Sequence, residues 1–158
     1  MKILICGVSA KEYGHDSVEE VGTGAIRVQG LKESIETIFS MYFWKTLHKQ
    51  TVIYDSSSPI KTYIDASAAY YGWTVIPVPK EEDESVESHN QRLIDERPNM
   101  VLYFVNEQGK GVPLRWVPHL EKLVNLAKEE GIPAFSGRLV ANDFNYEGEW
   151  EQEEETNG

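Results

Sequence analysis

Cysteine is almost missing from this chain. Cys6 is its only one, so no intrachain disulfide can form. It stands in the apolar run Ile3 to Cys6, where a buried, inert thiol is expected. Long apolar runs are missing too, and no stretch approaches the roughly 20 residues of a membrane span. The opening Met1 to Gly7 is too short for the apolar core of a secretion signal and runs straight into a turn. A cytoplasmic location with no membrane partner is therefore expected. Basic charge is scarce: 15 Lys and Arg face 26 Asp and Glu, a formal net charge of -11. Phosphate backbones need a basic footprint, so nucleic acid is not an expected partner.

Motifs are missing as well. No Gly-x-Gly-x-x-Gly follows the first apolar run, which argues against a standard dinucleotide site. No Gly-x-Ser-x-Gly elbow exists. His15, His48, His89 and His119 stand apart, with no Cys or second His at ligand spacing. No metal and no cofactor are expected.

What is present suits one domain. Hydrophobic residues make up 41% of 158, enough for a packed interior. The predicted strands are Lys2 to Cys6, Thr51 to Tyr54, Trp73 to Val78, Met100 to Val105 and Ile132 to Phe135. They alternate with predicted helices over 31–49, from Ser58 or Pro59 to Tyr71, from Val86 to Glu96, and from Val117 or Pro118 to about Gly131. The periodicity of Leu31, Ile35, Ile38, Phe39, Tyr42 and Phe43 carries the first helix. Ser58 before Pro59 is a cap followed by a first-turn proline. Such alternation predicts an α/β fold, a three-layer Rossmann-like domain with a mainly parallel five-stranded sheet over 1–145. Residues 8–30 read as a long Gly-punctuated loop, and 146–158 as an acidic disordered tail. Six of the acids stand in 147–155. The run Glu81 to Glu84 reads as another solvated, mobile segment.

In open parallel sheets, ligands bind beyond the C-terminal strand ends. Five segments should meet there: Gly7 to Ser9, Asp55 to Lys61, Pro77 to Pro79, Asn106 to Gly111, and the turn after Phe135. Ser56, Ser57, Ser58 and Lys61 form the best anion-binding candidate, because free helix N-terminal amides, hydroxyls and a cation would converge. The same serines would equally serve as a helix cap. Gly109 and Gly111 flank Lys110 and would permit close backbone approach, or simply make a turn. His89 is expected as a partly exposed helix histidine, with an acid–base role as the alternative.

The order of these pieces resembles the SLOG superfamily, in particular its small stand-alone members of bacteria and phages. Lys2 to Gly7 and Ser9 match that family's first strand and its Gly-Ser-Arg-like turn, without the Arg. Asp55 to Lys61 occupies the place of its Gly-rich phosphate loop, with no glycine and with Lys61 where the family has Asp. Asn90 matches the Asn of its helical Arg-Asn-x-x-Met. The strand ending at Phe104, the Gly109 to Gly111 loop and Gly131-Ile132-Pro133 follow the family closely. The resemblance implies a nucleotide or nucleotide-derived ligand held by Gly7, Ser9, Asp55, Ser56, Ser57, Ser58, Lys61, Asn90, Gly109 and Gly111.

The enzyme branch of that family cleaves N-glycosidic bonds and carries Pro-Gly-Gly-x-Gly-Thr-x-x-Glu. Asn106 to Pro113 lacks the Thr and the Glu at that spacing, so binding without turnover is expected. The catalytic alternative would draw on Asp55, Glu107 or His89. A third reading is an interaction module whose aromatic segment Met41 to Trp44, with Trp73 and Trp116, meets a partner or a second copy of the chain in a homodimer.

Overall fold

The most apolar run of the chain becomes the middle of a sheet. Met100 to Phe104 is buried at every position. A strand of this kind, without polar alternation, must be covered on both faces. The computed structural model describes residues 1–7, 48–58, 60–107, 110–111, 113–137 and 151–152. The expected loop over 8–30, nearly all of the expected helix over 31–49, Ser9 and Gly109 lie outside the described residues. So does the aromatic segment Met41 to Trp44. Lys49, at the end of that expected helix, is in a turn.

The strands are β1 (Lys2–Cys6), β2 (Thr51–Tyr54), β3 (Thr74–Pro77), β4 (Met100–Phe104) and β7 (Ala134–Gly137), all parallel, in the order β3-β2-β1-β4-β7. A two-residue hairpin, β5 (Asn106–Glu107) with β6 (Lys110–Gly111), follows β4. It stands where a plain loop is expected. Glu151–Gln152 (β8), inside the expected tail, pairs antiparallel with β7. The helices are α1 (Ile60–Tyr71), α2 (Val86–Asp95) and α3 (Pro118–Glu129). A single 3-10 turn, Leu114–Trp116, precedes α3. Among the described residues, no helix is long and apolar enough to cross a membrane.

From β2 the chain steps outward to β3 on one side of β1, then returns to β4 and steps to β7 on the other side. Parallel crossovers are right-handed. Reversing the direction of travel therefore moves the covering helices to the other face. One core layer joins Ile3, Ile5, Tyr54, Leu102 and Phe104 to Ile60 and Ile64 of α1. The other joins Leu4, Cys6, Val101 and Tyr103 to Leu93 of α2 and Leu120 and Leu123 of α3. Each such buried aliphatic side chain is worth about 1.5–3 kcal/mol relative to exposure. Trp73, offered above as a patch residue, is only 7% exposed and belongs to the first layer. Trp116 is 47% exposed.

Candidate functional site

The direction of travel reverses between β1 and β4, the kind of switch point where open α/β sheets hold ligands. At that end of the sheet, on the face covered by α2 and α3, a crevice of about 100 Å³ opens. Cys6 closes β1, Asp55 follows β2, and Lys80 follows β3. His89 and Asn90 come from α2, and His119 from the first turn of α3.

Asp55 is positioned by local chemistry. Its Oδ1 accepts from the Ser57 backbone N–H at 2.9 Å and from the Ser57 hydroxyl at 2.5 Å. This is the self-bonded turn that Asp favours. The Ser57 hydroxyl in turn accepts from the Lys80 backbone N–H at 3.2 Å, which ties the β2 and β3 loops together. The same Asp55 oxygen lies 3.7 Å from His89 Nε2. That nitrogen is 2.8 Å from the Val78 carbonyl. A carbonyl oxygen can only accept, so Nε2 carries the hydrogen and donates. The other ring nitrogen, Nδ1, has no hydrogen-bond partner among the described residues.

His89 is 5% exposed, which corrects the expectation of a partly exposed histidine. Its ring is drawn inward because Val78, held to Tyr54 by a 2.9 Å backbone bond, offers a free-standing carbonyl under α2. Asn90 is 7% exposed and lines the crevice, yet its side-chain amide has no partner among the described residues. Its amide atoms are open to the crevice rather than sealed off.

The loop Asp55 to Ser58 divides in two. Ser58 caps α1: its hydroxyl accepts from Ile60 N–H at 3.3 Å and its carbonyl from Lys61 N–H at 3.1 Å. Lys61 is ion-paired with Asp65 one turn further along α1. Asp65 also accepts from the Tyr54 hydroxyl at 3.1 Å. Tyr54 packs in the α1 layer, so Lys61 belongs to the opposite side of the sheet from the crevice. Desolvation of Tyr54, with the Asp65 bond adding to it, raises the phenol above its ordinary range.

Gly7 has a packing role at the β1 end. Its φ is +66°, and a Cβ there would stand 2.4 Å from the Phe104 carbonyl and 3.0 Å from Leu120. Ser56 is half-buried in the β2 loop, and Gly111 is in β6. Sequence reasoning thus found Asp55 and Asn90 but missed Lys80 and His119. Their signal was positional: each begins or follows an element at the same end of the sheet.

Among the described residues, no group of three or more His, Cys, Asp or Glu side chains is arranged to hold a metal. The fold and its switch-point crevice define a Rossmann-like α/β protein. The whole sequence matches no protein-family model and no curated protein.

Proposed function

We propose that the crevice binds a nucleotide or nucleotide-derived small molecule without converting it. The observation that carries this reading is the crevice at the switch point, where Asp55, His89 and Asn90 present polar groups together and the Asn90 amide makes no hydrogen bond among the described residues. A polar ligand edge would take up that amide in place of solvent. Ser58 and Lys61 are not needed for this reading, since they are engaged within α1 and its cap.

A ligand that binds only the folded state raises its stability, by about 2.7 kcal/mol at one hundred times Kd. A panel of nucleoside phosphates, ADP-ribose and cyclic nucleotides at millimolar concentration is expected to raise the melting temperature. Asn90→Ala is expected to cancel most of the rise. A flat response across the panel overturns the proposal.

The Asp55–His89 approach supports a second reading, cleavage of an N-glycosidic bond. A histidine whose Nε2 donates to the Val78 carbonyl, with Asp55 3.7 Å away, leaves Nδ1 to take a proton from a water that attacks the sugar carbon as the base departs. Chromatographic release of free base from a nucleotide, lost in Asp55→Asn, would establish it over binding alone.

A further inference from the structure

Among the described residues, the five parallel strands end in two edges, β3 and β7, and the two are guarded differently. At β3, the Thr74 N–H donates to the Gln50 carbonyl and the Val78 N–H to the Tyr54 carbonyl, both at 2.9 Å. Successive residues of a strand turn their backbone groups to opposite sides. Thr74 and Ile76 therefore face β2, and Val75 and Pro77 face outward. Pro77 has no N–H to offer. A proline on the outer side is one way in which native sheets refuse a further strand.

The β7 edge has no such guard of its own. The Val101 N–H donates to the Pro133 carbonyl at 2.9 Å. By the same alternation, Phe135 and Gly137 face β4, while Ala134 and Ser136 face outward with their N–H groups intact. Ala134–Gly137 holds neither a proline nor a charged residue. Its cover is Glu151–Gln152, which pairs Ser136 with Glu151 and Phe135 with Gln152. That ladder stops short of Ala134 among the described residues. So short a pairing opens at little cost. The cover is also acidic: the segment 147–155 holds six Glu and no Lys or Arg. Like charge in an edge segment holds copies of a chain of net charge -11 apart.

A second copy of the chain would use this edge more fully than the tail does. Across a two-fold axis, like strands meet antiparallel, which is the sense in which β7 already accepts β8. Centred on Phe135, such a pairing would bond Ala134 of each copy to Ser136 of the other, so that both outward residues are engaged.

We infer that the outer edge of β7 is a self-association surface, covered in the single chain by Glu151–Gln152. When that segment lets go, two copies pair β7 to β7 and their sheets continue into one.

Sedimentation equilibrium of the full chain and of its Glu151→Pro variant tests this. The substitution removes the N–H that residue 151 offers to β7, and it lies outside both core layers. Both copies must release a tail, so a roughly threefold rise in the released fraction strengthens dimerisation about tenfold. Hydrogen exchange supplies the location. The Ser136 amide should be protected in the parent and lose protection in dilute Glu151→Pro. Ala134 and Ser136 should then gain protection together as that variant is concentrated. Adding Ser136→Pro, whose lost N–H faces away from β4, should return Glu151→Pro to a monomer. Should that double variant fail to fold, the two amides decide alone. Association of Glu151→Pro no tighter than that of the parent overturns the inference. So does association that leaves the Ala134 and Ser136 amides exchanging freely, since the interface would then lie elsewhere.

Discussion

Gly7 shows how one residue links packing to the site. β1 must end where β4 and α3 close over it, and only a residue without Cβ can hold φ +66° with the Phe104 carbonyl that close. Gly7→Ala is expected to destabilise the fold by about 2–4 kcal/mol, through left-handed strain plus an overpacked contact. Urea denaturation would measure it, and a loss under about 0.5 kcal/mol, the range of indifferent surface changes, would contradict this account. Other residues were less readable. Lys61 looks like a phosphate cation in the sequence, but its partner Asp65 lies one helical turn away, and i,i+4 pairing satisfies it locally. His89 looks like a surface residue until the Val78 carbonyl is placed beneath it.

At the scale of elements, α2 is held by a charge cluster that the sequence presents as a loose acidic run. Glu84 takes two bonds from Arg92, at 2.6 and 2.7 Å, one from the Glu81 backbone N–H at 3.0 Å and one from the Ser88 hydroxyl at 3.1 Å. Arg92 also donates to the Pro79 carbonyl at 2.5 Å, which ties α2 to the loop after β3. Ser85 caps the helix through the Ser88 N–H at 3.1 Å.

The Arg92 bonds, then the Glu81 N–H, hold the Glu84 carboxyl down at about 2, against an ordinary 4.5. A group whose folded pKa is depressed stabilises above its unfolded pKa and loses that contribution as pH falls toward the folded value. Stability from this cluster should therefore be full at neutral pH and decline between about pH 4.5 and 2. Glu84→Gln should lower the urea midpoint at pH 7 and close the gap to the parent as pH falls through that window. A gap constant from pH 7 to pH 3 would refute the clamp.

For the whole molecule, the strand order puts β1 at the centre of the five parallel strands, next to β2 and β4, with the helices that cover them on two faces. Amide hydrogens of Leu4, Ile5, Val101 and Leu102 should exchange slowest, and those of the edge strand β3, with exposed Thr74 and Pro77 at its ends, faster. Equal protection across the five strands, read by hydrogen exchange, would count against this layering.

Most elements were readable from the chain. The strands at 2–6 and 51–54 and the helix stops at Gly72 and Gly131, with φ of +74° and +76°, follow from apolar runs and punctuation. The last strand shifted to Ala134–Gly137, because pairing with β4 begins only after Pro133 has offered its carbonyl to Val101. The site was half readable: Asp55 and Asn90 stood out, whereas Lys80 and His119 did not.

By itself, then, the sequence determined the alternation of strands and helices, and hence the parallel sheet, because hydrophobic period and turn chemistry are local properties. Only the tertiary structure decided which strand-end groups share a crevice. It spent Lys61 and Ser58 within α1, turned His89 inward, and set Asp55, Asn90, Lys80 and His119 around one opening. The reason is physical: hydrogen bonds and ion pairs are consumed by whichever partner the folded chain brings nearest, and that partner is not written in the spacing along it.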